Sequence, residues 1–480
     1  MENSEKTKQP AAQRAVWIIQ LVLGVLALAA FGLWVYKAES LSVLGVTGAG
    51  LSLGLFTLAL MLAAPKAVRF LSAADEDPVR ALGVRSGRSS GFSQGLRVVF
   101  AVLGARVLVV VLAYVFARVF RNYHGSIFAT LESIWLKLDT DAPHYIGIAE
   151  NWYSTEEPAM YALVFLPLFP LMIRGLDFIF GNSFVSAMVL NTVCSCAGAV
   201  VIHRLAFIEM GRRPAKLTVL FTFALPAAIF YIAPMSEALF LLLAASMLLT
   251  LRRNKFWLAA IFGALASFTR SVGIILIVPF IAEAAAYAVR RARSSGGKLP
   301  AGVAVKLAAC AVILCLGSFA YLLINKLLWG DWFKFMEFQR DNWYQGFGPF
   351  FGTVSMQLDQ LVSSFGSSPE TALALWLPNL LFIFGALAVL VFSARTMRTP
   401  YTLYFAAYFA VTCGATWLLS APRYLTALIC IPLALAHLCE GDVNGVATAR
   451  AKAKASVVTV LFLVGQALYL IMYVMEYEIY

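Results

Sequence analysis

Charge is the scarcest ingredient of this sequence. Only 13% of its 480 residues are Asp, Glu, Lys or Arg, 61% are hydrophobic, and mean hydropathy is +0.81. A soluble domain carries about 25% charged residues, so an integral membrane protein is expected. Acids are scarcer than bases, 25 against 37, which leaves a formal net charge of +12. Nucleic-acid binding does not follow, because the basic residues cluster in short loops between apolar runs. That is the positive-inside bias, with attraction to anionic headgroups. The seven cysteines (Cys194, Cys196, Cys310, Cys315, Cys413, Cys430 and Cys439) lie in or at the ends of apolar runs without metal-ligand spacing. Neither disulfides nor zinc is expected. There is no Asn-x-Ser/Thr sequon. No cleavage site follows the first apolar run, which continues to about Val35 and reads as an anchor, not a removable signal.

A soluble-sized gap is also missing. Apolar runs near 17–36, 42–64, 99–119, 183–207, 215–233, 235–251, 256–271, 273–289, 302–324, 373–394, 400–419, 422–439 and 455–475 suggest an all-α bundle of about thirteen transmembrane helices. The residues divide into 1–98, an N-terminal hairpin with a connector, and 99–480, the remaining bundle. With thirteen spans, 24 of the 37 Lys and Arg residues fall in loops on one side. That side is expected to be cytoplasmic, with the N-terminus there. Two long loops, 120–160 and 325–371, fall on the other side and carry interfacial helices. The apolar segment 161–181 is interrupted by Pro167, Pro170 and Arg174 and reads as a broken or re-entrant helix.

An ionisable group at membrane depth costs roughly 2.5–3.5 kcal/mol on insertion scales, so the polar interruptions carry the information. The first is Leu138–Tyr153. Asp141, followed by Ala142, Pro143 and His144, has the pattern of a helix start. Asp141 either caps that helix or is a carboxylate placed to take a proton from a substrate hydroxyl. Asp139 and Asp141 together could hold a divalent cation, but two carboxylates are a thin ligand set, and no metal or other cofactor is expected. Further on, Ser236 and Glu237 open an apolar run, where a capping role is the plain alternative. Arg270 and Arg423 stand between apolar runs on the non-cytoplasmic side. Either alone could snorkel to headgroups; together they suit a lipid-linked phosphate, which Arg binds as a fork. In the second long loop, Gln339 and Trp343 sit among aromatics spaced every three or four positions. That pattern fits an aromatic belt or a sugar-stacking surface.

These stretches, in this order, resemble the PIG-V family of mannosyltransferases in the GT-C class. The family's Trp-Asp-x-x-His block and the motifs after it correspond to Asp141-Ala-Pro-His144, Ile148-Ala149, Tyr153 and Phe165-Leu-Pro-Leu-Phe-Pro170. Its Pro-x-Ser-Glu-x-Leu-Phe motif corresponds to Pro234-Met-Ser-Glu-Ala-Leu-Phe240. Thr-Arg-Ser-x-Gly is Thr269-Arg-Ser-Val-Gly273, and Pro422-Arg423-Tyr424 fits late in the chain. The resemblance covers roughly 100–440. Thr140 departs from it, standing where the family has Trp, and two additional N-terminal spans precede the usual first one.

The resemblance implies a GT-C-like bundle and an inverting transfer of a hexose, mannose first among candidates, from a polyprenyl-phosphate donor to an acceptor hydroxyl. The acceptor would be a lipid or glycan at the outer face of a bacterial cytoplasmic membrane. Asp141, Asp139 and His144 would be catalytic, and Arg270 and Arg423 would bind the donor phosphate. Glu237, Gln339, Trp343, Tyr145 and Tyr424 would bind sugar or acceptor. The rival readings are a lipid-linked sugar flippase or transporter, and a GT-C transferase with another lipid-linked donor.

Overall fold

A computed structural model of the chain describes residues 2–38, 40–72, 92–137, 140–443 and 446–479. Apart from helices and connecting loops, the described residues contain a two-residue antiparallel pairing of Asp442–Val443 with Val446–Ala447 and one bridge between Phe347 and Ala415. The first six helices are α1 (Glu2–Lys37), α2 (Val43–Leu71), α3 (Phe92–Phe120), α4 (Ile127–Trp135), α5 (Ala142–Asn151) and α6 (Leu168–Phe180). Next come α7 (Ser183–Met210), α8 (Arg212–Ala224), α9 (Glu237–Arg252), α10 (Phe256–Thr269), α11 (Ile277–Ser294) and α12 (Ala301–Trp329). The last seven are α13 (Lys334–Asp341), α14 (Phe350–Ser367), α15 (Leu377–Ser393), α16 (Thr399–Thr412), α17 (Ala421–Thr426), α18 (Cys430–Leu438) and α19 (Ala449–Val474).

Local chemistry sets several of these boundaries. Ser42, Ser126, Asn182 and Thr448 each accept a hydrogen bond from the backbone N–H three residues on, the usual side-chain cap. Gly181 and Gly330 close α6 and α12 at φ +63° and +72°, a left-handed conformation that glycine adopts without a Cβ clash.

Among the described residues, eight helical segments are long and apolar enough to cross a membrane: Ala12–Lys37, Val43–Leu71, Ser93–Phe120, Ser183–Met210, Ser271–Ser294, Ala301–Trp329, Pro369–Ser393 and Ala449–Val474. The protein is therefore an all-α polytopic membrane protein, with a different inventory from the thirteen apolar runs. The other five runs form shorter or interrupted helices. At 1.5 Å per residue, the 16 residues of α9 reach about 24 Å, short of the roughly 30 Å hydrocarbon core. The run 215–233 breaks where Pro226 turns α8 into a 3₁₀ segment, Pro226–Tyr231, and 422–439 divides into α17 and α18. The physical reason is burial. Helix α9 is covered on nearly every side by protein, and a run apolar all round reads the same whether lipid or protein surrounds it.

The core lies where α9 packs between α7 and α10, with α10 against α12. The N-terminal hairpin joins this body: α2 packs on α14 and α15, and Ser42 Oγ donates to Asp359 Oδ1 at 2.5 Å. The proline-interrupted stretch forms a 3₁₀ segment, Ala159–Val164, followed by the 13-residue α6. The two long loops contain α4 and α5, and α13 and α14, respectively. The starts of α5, α9 and α17 and the junction after α10 meet at one end of the core, and the polar interruptions gather there.

Candidate active site

Asp141 occupies the capping position of α5, but its side chain makes no capping hydrogen bond. Its Oδ2 instead accepts from Arg423 Nη2 at 2.5 Å, across 282 residues of chain. Ser236 behaves alike at the head of α9. It does not cap; its Oγ shares a hydrogen bond with Tyr145 OH at 2.9 Å and accepts one from Arg270 Nη1 at 3.1 Å. Glu237 Oε1 takes Arg270 Nη1 at 2.5 Å and lies 3.2 Å from Arg423 Nε. The capping alternatives for Asp141 and Ser236 are thus set aside by where the oxygens point.

Two carboxylates and two guanidiniums form one alternating chain, Asp141–Arg423–Glu237–Arg270. Its formal charges cancel, as charges removed from water require. Exposure is graded along it. The side chains of Glu237 and Arg423 are 1% and 3% exposed, Arg270 10% and Asp141 21%. Asp141 is therefore the acid a substrate can reach. Arg270 Nε and Nη2 carry no hydrogen bond to the described residues, which leaves one edge of its fork open. The Tyr424 ring lies under both cations, 5.3 Å from Arg270 Cζ and 5.0 Å from Arg423 Cζ.

These groups open on a cavity of about 750 Å³ lined by Asp141, Tyr145, Arg270, Arg423, Tyr424, Gln339, Trp343 and their neighbours. Gln339 and Trp343, from α13 and the turn after it, stand on its wall. Gln339 Nε2 donates to Gln345 Oε1 at 2.6 Å, and Gln345 Nε2 to the Trp417 carbonyl at 2.9 Å. The Trp343 indole N–H is buried without an acceptor among the described residues. His144 lies behind this wall, stacked on Phe165 at 4.9 Å and edge-on to Trp343 at 5.3 Å. Burial lowers the His144 pKa, partly opposed by the Asp141 carboxylate. Burial likewise raises the Tyr145 phenol well above its usual value, so the hydroxyl stays protonated. Thr140, at the family's Trp position, is buried, and its Oγ1 donates to the Lys137 carbonyl at 2.9 Å. The aromatic faces come instead from Phe165, Trp343 and Tyr424. Asp139 lies outside the described residues, and with it half of the considered cation pair.

Several holders of this site are ordinary-looking polar residues. Asn191 Nδ2 donates to the carbonyls of Ala233 and Met235 (3.0 Å to the latter), which fixes the approach to Ser236. Arg106 donates to Ser195 Oγ at 2.9 Å and to the Tyr231 carbonyl at 2.7 Å. Tyr231 OH in turn reaches the Thr426 carbonyl at 2.6 Å, tying the segment before α9 to α17. Asn379 accepts from Ala421 N at 3.1 Å, and Gln357 Nε2 donates to the Leu418 carbonyl at 2.9 Å, so the strand of chain entering Arg423 is pinned from two helices. Sequence reasoning left Arg106 open between snorkelling and pairing and passed over the others. The only signal was a lone amide or guanidinium inside an apolar run.

Fold and site together define a polytopic helical membrane protein whose buried acid–guanidinium chain surfaces on one wall of an aromatic cavity. Among curated proteins, the chain is similar to GPI alpha-1,6-mannosyltransferase 2, the PIG-V protein, so the resemblance read from the motifs is shown by sequence comparison as well. It is 30% identical to the Rattus norvegicus protein over 202 residues, 37% of this chain and 40% of that one. It is 32% identical to the Cricetulus griseus protein over 149 residues, 28% and 29% of the two chains. The Homo sapiens protein is 30% identical over 148 residues, 28% and 29%. The chain thus spans well under half the length of the curated relatives it matches. No family model matches. Among solved structures, ArnT from Cupriavidus metallidurans bound to undecaprenyl phosphate aligns with a TM-score of 0.42 at 14% identity, covering 78% of this chain and 75% of that one.

Proposed function

We propose that the chain is a membrane glycosyltransferase that moves a hexose, mannose in the first instance, from a polyprenyl-phosphate donor to the hydroxyl of a lipid or glycan acceptor. The observation that carries this reading is the Asp141 carboxylate on the cavity wall, 2.5 Å from the Arg423 guanidinium, with Arg270 lining the same cavity. The donor phosphate binds Arg270 and competes with Asp141 for Arg423, and Asp141 then accepts the proton of the acceptor hydroxyl. The acceptor oxygen forms its bond to the anomeric carbon from the face opposite the phosphate, the bond from that carbon to the phosphate oxygen breaks, and polyprenyl phosphate leaves. Configuration inverts. The leaving group is an acid already, so two guanidiniums suffice to stabilise its charge and no metal ion is required.

Trp343, Gln339 and Tyr424 offer stacking faces and hydrogen bonds to the sugar; Tyr145 and Glu237 order the cations, and His144 supports the aromatic wall. In this reading the site faces the non-cytoplasmic side of a bacterial cytoplasmic membrane, with the N-terminus inside. The test is to incubate the purified chain with radiolabelled polyprenyl-phosphate mannose and membrane lipid extract. Label in a new product is the expected result. Label carried unchanged across vesicles would identify a flippase instead.

A further inference from the structure

Glu237 differs from the other members of the acid–guanidinium chain. It is 1% exposed, it is not among the residues that line the cavity, and one oxygen serves two cations: Oε1 accepts from Arg270 Nη1 at 2.5 Å and sits 3.2 Å from Arg423 Nε. Its Oε2 is buried and has no hydrogen-bond partner among the described residues. Orientation alone would need only an acceptor oxygen, which a glutamine amide supplies without a buried charge. A carboxylate with half its bonding capacity unused suggests that the charge itself matters.

We infer that Glu237 is a positioning residue that fixes the spacing of Arg270 and Arg423 and, by neutralising one of them, limits how tightly a lipid-linked phosphate is held. Asp141 neutralises the other. A site built of two bare guanidiniums would bind the departing lipid phosphate as strongly as the donor and would be slow to release it. With Glu237 between them, the same forks meet the phosphate from a cluster of no net charge. The inference rests on the proposed use of a lipid-phosphate donor.

The experiment measures binding of undecaprenyl monophosphate, with uncharged undecaprenol as reference, to the full-length protein in detergent, alongside donor KM and kcat. Glu237→Gln keeps an acceptor oxygen and removes the charge. It is expected to bind undecaprenyl monophosphate about tenfold more tightly, since a charge a few ångströms away is only partly screened at the wall of such a site. Undecaprenol binding should not change, and both KM and kcat should fall as release slows. Glu237→Asp keeps the charge and shortens the reach, so kcat should fall with no gain in affinity. Equal or weaker phosphate-lipid binding by a folded Glu237→Gln variant overturns the inference. So does unchanged turnover in Glu237→Asp, whether or not the glutamine variant folds. If the native protein does not distinguish the phosphate lipid from undecaprenol, the donor reading fails first and this inference with it.

Discussion

Arg270 illustrates what a single side chain contributes here. One nitrogen bridges Ser236 and Glu237 while Nε and Nη2 make no hydrogen bond to the described residues and the residue lines the cavity, a division of labour that needs a planar, multiply donating cation. Arg270→Lys keeps the charge and loses the fork, so donor KM should rise about tenfold with a smaller change in kcat; steady-state kinetics across donor concentrations separates the two. His144 makes a prediction of the opposite kind, about stability. Burial lowers its pKa below the usual 6.5, so the unfolded chain binds the proton more readily than the folded one. The neutral, stacked ring contributes fully above pH about 6.5, and the contribution is lost as pH falls from there through the lowered folded value. His144→Phe should therefore melt with a flatter pH profile on the acid side than the native protein. An unchanged slope would remove His144 as the cause. The acids and arginines of this cluster were legible in the sequence because each interrupts an apolar run at a cost. Asn191 and Asn379 were not, because a polar side chain bound to a distant carbonyl looks like any isolated polar residue until the partner is known; for Arg106 the sequence left snorkelling and pairing open.

At the scale of elements, the Thr-Arg-Ser-x-Gly motif has a packing explanation. A Cβ on Gly273 would collide with the Ala266 carbonyl oxygen and meet the Ser267 Cα at 2.6 Å, both on the last turns of α10. The chain doubles back against its own helix there, and Arg270 sits at the bend. Gly273→Ala should open the bend, move the guanidinium and cost tenfold or more in transfer, since small misplacements at a reacting site are expensive. Gly317 offers a control in α12. A Cβ there would collide with the Ala264 carbonyl oxygen, so Gly317→Ala should destabilise the α10–α12 packing by about 1–3 kcal/mol, read as a lower melting temperature. A larger loss of activity in Gly317→Ala than in Gly273→Ala, at equal folded protein, would contradict this account of the motif. The sequence located α5 and α9 by their capping residues. It could not show that Asp141 and Ser236 would leave those caps unmade and reach across the fold.

For the whole molecule, the apolar runs announced a helical membrane protein correctly; among the described residues eight of the thirteen are helices long and apolar enough to cross a membrane, and the other five are shorter or interrupted. Hydropathy cannot distinguish a helix wrapped in lipid from α9, which is wrapped in other helices. Helix α2 of the N-terminal hairpin packs on α14 and α15, and its Ala49 and Ala59 are buried. Removing α1 and α2 should lower the melting temperature of the remainder and broaden its gel-filtration peak; an unchanged peak and melt would make the hairpin dispensable. The most direct test of the central claim uses one variant of the intact protein. Asp141→Asn keeps the shape of the side chain and removes the base, a change worth roughly a hundredfold to ten-thousandfold in such reactions. Transfer from labelled polyprenyl-phosphate mannose should fall by at least that lower figure while the protein stays folded and donor binding is kept or tightened, because Arg423 loses the carboxylate that competes with the phosphate. Turnover within a few-fold of the native enzyme would contradict the assignment of Asp141 and the reading of the cavity as the place where the bond is made.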